Sequence, residues 1–427
     1  MAALVAMARA ARSRTVSVQA ARAVASRVFS AEAAGTPTPG CPYHSKPLPL
    51  ADNGGLQEYS VVYTDRALNH MSSAFCKVMR DLQETLTSPE VYNCAKAVML
   101  PGSGTYAMEA VARQLCSGKK ALVVRNGYFS YRWTDIFDQT SIVSEAVIVK
   151  AQPTDDSQRP QFTPPPIEEL VAKIKAEKPA VVFAPHVETS TGIMLPDDYV
   201  KQMAEAAHSV GAQMVLDCIA SGTMWVDMKA TGVDVIITAP QKGWTGPACI
   251  GIAMLSENAV NAVNNTTSNS MVLNLRKWLE VADSYTNGGF MYYATMPTDA
   301  MVLFRNVAEE TKKFGFARVK EEFYAMGMDV RKMMAGKGYK SVAAPGFEAP
   351  GVVVSYTDET TMFAKFKGIG MQIAAGVPFM INEPQGNNTF RIGLFGIDKV
   401  YNAKTVVKEL STALDTVAAP EAKAASA

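Results

Sequence analysis

Lys242 lies in the stretch DVIITAPQKGWTGPACIGIAML, Asp234 to Leu255, in a loop between two apolar runs and just before Gly243. A lysine held at a sheet edge, with Gly243 and Gly246 letting the chain turn, is an amine that can form an imine with a carbonyl. On an open surface it is only a solvated charge. Asp217 ends the apolar run MVLD, 25 residues earlier. Burying a carboxylate unpaired costs several kcal/mol, so its position asks for a metal, a role as base or a cationic ring nitrogen. No second carboxylate or histidine adjoins it, which weakens the metal option. A third feature is PGSGTYAMEA. Gly102 and Gly104 permit a tight turn, Ser103 and Thr105 bring hydroxyls, and a helix opening there presents free N–H groups to a phosphate. The loop is neither a dinucleotide GxGxxG nor a Walker motif, and a plain strand-to-helix turn is the alternative. The lysine, the opposing aspartate, the phosphate loop and an aromatic-bearing loop at Asn126–Phe129 together point to pyridoxal 5'-phosphate.

The elements that must position these groups alternate along the chain. A helix is expected from Asn69 to Glu84, then a strand or buried turn before Gly102 and a helix from about Tyr106. Strands follow at Ala121–Val124, in SEAVIVKAQ, PAVVFAP, AQMVLD, DVIIT and ACIGIAML, with helices from Pro166 and in DDYVKQMAEAAHSVG. Continuous apolar strands alternating with helices predict an α/β fold with a mainly parallel sheet covered on both faces. Ligands in such folds gather at the carboxyl ends of the strands, here Gly102–Thr105, Asn126–Phe129, His186–Thr191, Asp217 and Lys242. Beyond about residue 296 a long helical region interrupted near Gly315, two strands and a closing helix predict a smaller α+β domain. The expected divisions are a presequence at 1–30, an extended segment at 31–60, a large domain at 61–296, a small domain at 297–416 and a disordered tail at 417–427.

Composition narrows the class. The 427 residues are 48% hydrophobic, with 41 basic and 40 acidic side chains. No charged block asks for nucleic acid, and no apolar run is long enough for a membrane span. Six cysteines without CxxC spacing suggest a reducing compartment, and the four histidines form no zinc motif. The first thirty residues carry five arginines, many alanines and no acidic residue, which fits a mitochondrial presequence and a matrix location.

From about Asn69 to Gly396 the chain resembles the class V aminotransferases of the fold-type I pyridoxal-phosphate enzymes. The likeness is to the alanine–glyoxylate, serine–glyoxylate and 2-aminoethylphosphonate–pyruvate branch. It implies a seven-stranded sheet sandwiched by helices and a homodimer with shared active sites. Lys242 in APQKG matches the Schiff-base lysine and Gln241 a phosphate contact. Asp217 matches the partner of the pyridinium nitrogen, with Ile219 against one ring face and Phe129 in RNGYF stacked on the other. Ser103, Gly104 and Thr105 match the phosphate loop. Ser190 in HVETSTG matches a polar residue of the cofactor pocket, with Thr189 as its neighbour. Tyr292 and Thr295 in MYYATMP match groups completing the neighbouring subunit's phosphate site. Arg391 in FRIGLFG matches the substrate-carboxylate arginine, whose planar fork suits a bidentate clamp.

The implied reaction moves an amino group from a small amino acid or aminoalkyl acid to pyruvate or glyoxylate in a ping-pong cycle. A pyridoxal-phosphate lyase and a non-catalytic scaffold are the alternatives. Gln241 in place of a histidine before the lysine disfavours a desulfurase-like branch, and the presence of both Lys242 and Asp217 disfavours a scaffold. The segment EYSVVYTDRALNHMS departs from the family in lacking a Gly-Pro pair, so the substrate cannot be carried over. Arg66, His70, Arg125 and Arg132 are possible second anion contacts.

Overall fold

The computed structural model describes residues 51, 54 and 56–418. The expected presequence lies outside them, as do residues 31–50, 52, 53 and 55 of the extended segment and residues 419–427 of the tail. Internal contacts separate an N-terminal unit, ending at Ala74, from a main unit beginning at Phe75. Residues 56–72 of the N-terminal unit form no helix or strand. Glu58 ties them together, accepting from the Ser60 N–H at 2.8 Å and from Asn69 Nδ2 at 2.7 Å. Arg66 is exposed there and His70 buried.

A helix α1 (Ser73–Thr87) leads into the alternation that forms the main unit. It runs β1 (Lys96–Pro101), α2 (Gly104–Leu115), β2 (Lys120–Arg125), α3 (Tyr128–Thr140), β3 (Glu145–Lys150), α4 (Ile167–Glu177), β4 (Val181–Pro185) and α5 (Asp197–Ser209). Then come β5 (Gln213–Asp217), β6 (Val235–Thr238) and β7 (Ile250–Leu255). The seven strands form one sheet in the order β1-β7-β6-β5-β4-β2-β3. Only β7 runs against its neighbours; the others are parallel. Every residue of β4, β6 and β7 is buried. Because side chains alternate between faces, total burial means that both faces are covered, and this is why these strands read as unbroken apolar runs. The edge strand β3 is half-exposed.

Past two further helices, Glu257–Asn264 and Leu275–Thr286, the chain builds its small C-terminal domain. It contains α6 (Thr298–Phe314), α7 (Phe316–Gly336), β8 (Val352–Thr357), β9 (Ala374–Ala375), β10 (Asn388–Gly393) and α8 (Ala403–Ala418). Gly315, at φ +101°, breaks the long helical region where the sequence suggested. The three strands pair antiparallel as β8-β10-β9, with Arg391 on the middle strand.

Parallel direction gathers the carboxyl ends of six strands at one edge, and the loops there are the ones that matter. The loop after β6 departs from expectation in how it turns. Gly243 is a glycine because a Cβ there would stand 2.0 Å from the Gly222 carbonyl oxygen; two backbones meet. The left-handed residue is Thr245, at φ +59°, a costly conformation for a β-branched side chain. The surroundings hold it: Gly246 N–H donates to the Pro240 carbonyl at 2.9 Å, and Thr245 Oγ1 accepts from the Ile397 N–H at 2.9 Å. Trp244 is buried against Trp225, with ring centres 4.7 Å apart, and against Phe304 at 5.9 Å. Lys242 is thus flanked by an anchored residue on its carboxyl side. No helix among the described residues is long and apolar enough to cross a membrane.

Candidate active site

At that edge lies a cavity of about 170 Å³ whose wall includes Ser103, Gly104, Thr105, Phe129, Asp217, Ile219, Gln241 and Lys242. Eight residues singled out in the sequence therefore meet in one place. A larger cleft, about 300 Å³, opens between Glu359 and Phe390, but no lysine, arginine, histidine or cysteine lines it. Chemistry, not size, picks out the smaller one.

Each wall has a local cause. Gly102, at φ +126°, turns the chain from β1 into α2, and Ser103 is the N-cap of that helix without using its hydroxyl to cap it. The Gly104 and Thr105 N–H groups have no carbonyl of their own helix to bond, whereas that of Tyr106 donates to the Ser103 carbonyl at 3.0 Å, so those two and the two hydroxyls remain available to an anion. Gly251 on β7 makes room for this loop: a Cβ there would come within 2.4 Å of the Ser103 carbonyl oxygen. Across the cavity, Asp217 ends β5 and is 7% exposed. Its Oδ1 accepts from the Ile219 N–H at 2.9 Å, and no other protein donor reaches the carboxylate among the described residues. Burial pushes its pKa up to about 7; the Glu188 charge adds to that, against the Ile219 bond and the Lys242 and Arg132 cations. Lys242 Nζ lies 5.0 Å from the centre of the Phe395 ring. Its pKa is lowered, first by burial and then by the Arg391 charge, while Asp217 opposes the shift. A larger neutral fraction makes the amine a better nucleophile and proton acceptor.

Some expected groups sit elsewhere. Ser190 does not reach the cavity wall, and Thr189 does. The Ser190 hydroxyl is taken up in the interior, donating to Glu188 at 2.8 Å and accepting from the Tyr128 N–H at 2.9 Å. Tyr292 and Thr295 also lie away from the wall; they share a 3.0 Å hydrogen bond, and Tyr292 is 49% exposed. Arg391 stands beside the cavity, its Cζ 5.7 Å from the Phe129 ring centre, with Nε donating to the Ala375 carbonyl at 2.9 Å. Of the possible second anion contacts, Arg132 lines the cavity. Arg125 is buried instead, donating to Thr134 Oγ1 at 2.7 Å. His186 is buried against Ser221 Oγ at 2.7 Å, and burial pushes it down to about 3, which keeps it neutral. Cys249 has its thiol pushed up to about 11 by burial, and a protonated thiol is inert.

Sequence reasoning missed Glu188. This carboxylate is fully buried and accepts five hydrogen bonds, from the N–H groups of Phe129, Ser130 and Ser190 and the hydroxyls of Ser130 and Ser190. It caps α3 from the loop that follows β4 and so fixes the backbone that carries Phe129. A Cβ on Gly127 would lie 2.6 Å from the Glu188 side chain, which explains that glycine. The available signal was negative: α3 begins after a glycine and has no acidic residue in its first turn.

Residues 55–343 match the family model described as Aminotransferase class-V. The chain belongs to this family. It is 26% identical over 346 residues to the L-aspartate–glyoxylate aminotransferase of Paracoccus denitrificans, covering 77% of this chain and 83% of that one. It is 24% identical to alanine–glyoxylate aminotransferase 1 of Saccharomyces cerevisiae, covering 82% and 91%. The fold matches a solved alanine–glyoxylate aminotransferase from Nostoc sp., with a TM-score of 0.70 at 19% identity over 82% of this chain and 89% of that one. This class-V aminotransferase is a pyridoxal-phosphate-dependent transaminase.

The cavity suits that cofactor on its own chemistry. Asp217 offers a buried carboxylate short of donors, α2 offers an anion site, and Gly104 leaves the space that a Cβ would fill only by striking Ile219 at 2.4 Å. In the cofactor-free protein Asp217 is a liability. Its folded pKa lies above the unfolded one, so its contribution is favourable below about pH 4 and is lost as pH rises towards 7. Cofactor-free Asp217→Asn should therefore gain stability over the parent as pH rises through that window, by up to roughly 4 kcal/mol at the top. Denaturant unfolding of both proteins across the range checks this; a gap that does not change with pH counts against the raised pKa.

Proposed function

We propose that this protein is a mitochondrial, homodimeric transaminase. It takes an amino group from a small amino acid or aminoalkyl acid and passes it to pyruvate or glyoxylate in a ping-pong cycle. The observation that carries this is the convergence of a lysine amine, a donor-poor buried carboxylate and an uncapped helix start on one cavity, with Arg391 beside it. The names of the two curated relatives support glyoxylate as acceptor.

In this reading Lys242 Nζ holds the cofactor covalently and, once released, takes the proton from the substrate α-carbon. Asp217 would keep a positive charge on the ring nitrogen, and Ile219 and Phe129 would supply the apolar faces against the ring. Ser103, Gly104, Thr105 and Gln241 bind the phosphate, and Thr189 rather than Ser190 is the polar contact from its loop. Arg391 clamps the substrate carboxylate. When bound, pyridoxal phosphate supplies an electron-accepting ring that stabilises the charge left on carbon after proton removal. Reduction with borohydride followed by peptide mapping should find the cofactor's mass on the Lys242 peptide, and amino donors offered one at a time should abolish that labelling when they are substrates. Labelling that survives in Lys242→Ala would sink the assignment.

The homodimer is supported by the exposure of Met271 and Val272, neighbouring apolar side chains just before the helix Leu275–Thr286. A second copy would cover them and draw Tyr292 and Thr295 towards its own phosphate loop. Sedimentation should give twice the chain mass, and Tyr292→Ala should weaken cofactor binding; a monomer that binds cofactor at full strength would refute the shared site.

The arginine-rich, acid-free first thirty residues support mitochondrial import. A reporter carrying the first forty residues should enter the matrix, and one that stays in the cytosol would refute the location.

A further inference from the structure

Arg132 is a cation in the cavity wall without an anionic partner. Among the described residues no carboxylate lies within ion-pair distance of it. Its Nη1 donates to Thr105 Oγ1 at 3.4 Å, at the long end of hydrogen bonding, which leaves most of the guanidinium fork unused. Its Cζ lies 4.8 Å from the centre of the Phe129 ring, a cation–π contact that steadies the group against that aromatic. Arg125, also in this region, is spent differently: it is buried, bonded to Thr134 and stacked on Tyr131. Arg391 is tied to the Ala375 carbonyl on the small sheet.

The donors of the Ser103–Thr105 loop are all neutral: two hydroxyls, the first N–H groups of α2 and the neighbouring Gln241 amide. The helix start adds about half a positive charge, short of what a phosphate dianion carries. Arg132 is the arginine that touches this loop, through Thr105.

We propose that Arg132 is a cofactor-binding residue whose guanidinium supplies the full positive charge for the phosphate seated at Ser103–Thr105. The inference rests on the cofactor site proposed above. The other oxyanion able to use this arginine is a second acid group on the substrate. The contact with the phosphate loop favours the cofactor.

The test uses the full-length protein stripped of cofactor and titrated by tryptophan fluorescence with pyridoxal phosphate and, separately, with pyridoxal, which lacks the phosphate. Arg132→Gln should raise the Kd for pyridoxal phosphate about 10- to 100-fold, the usual worth of a hydrogen bond to a charged group, and leave the Kd for pyridoxal unchanged. Arg132→Lys should recover part of the loss, and it serves alone if the glutamine variant does not fold. Equal weakening of both ligands would overturn the proposal and make Arg132 a support for Phe129. Unchanged cofactor affinity with a raised KM for diacid but not monoacid acceptors would also overturn it, in favour of the substrate. Borohydride labelling of the wild type keeps the two readings apart. If Lys242 is labelled and the Arg132 variants bind normally, only this proposal fails; if Lys242 is not labelled, the cofactor site itself has failed.

Discussion

Two carboxylates are buried at the carboxyl edge of the large sheet, and the protein satisfies only one of them. Glu188 receives five hydrogen bonds from the start of α3 and from its own loop. Asp217, in the cavity wall, receives one. A buried charge left short of donors is among the more expensive features a fold can contain, and its raised pKa expresses that cost. The surrounding structure follows from this inequality. The satisfied carboxylate builds scaffold by locking α3 and Phe129 in place. The unsatisfied one makes a site, because a ligand group that donates to it, and best a cationic one, completes it.

The lysine loop is held by a different means. Gly243 against Gly222 is a close approach of two backbones, and Trp244 sinks into a cluster of aromatic rings. Lys242 immediately precedes these anchors and lines the cavity. The strained Thr245 is where the loop meets the small domain, through the Ile397 N–H. Strain at a functional loop persists when its surroundings over-determine it, and here two hydrogen bonds and a buried tryptophan do so.

Much of this was legible in the sequence because it depends on local pattern. Unbroken apolar strands announced a sheet covered on both faces, and strand direction then gathered Lys242, Asp217 and the phosphate loop at one edge. Gly315 marked the break between two helices because its φ value requires a glycine. The sequence says less where geometry depends on distant partners. Ser190 and Thr189 are neighbours in a polar loop, and what separates their fates is Glu188 and the Tyr128 N–H, the latter 62 residues away in sequence. Nor could Gly243 be told from a turn glycine without knowing that Gly222 lies against it.

Arg391 shows how the two sheets share one site. It sits on β10, the middle strand, opposite Val354 on one side and Ala374 on the other, so its backbone is set by two neighbours rather than by a loop. The chain that leaves this strand carries Phe395 under Lys242 Nζ and Ile397 against Thr245. Both are within six residues of Arg391. A displacement of β10 relative to the large sheet therefore reaches the arginine, the ring beneath the lysine and the strained residue of the lysine loop together. The Arg391 charge also lowers the Lys242 pKa, so the same displacement alters the fraction of amine that is neutral. Position and proton affinity at Lys242 are thus coupled to the small sheet by two hydrogen-bonded strands and one short turn.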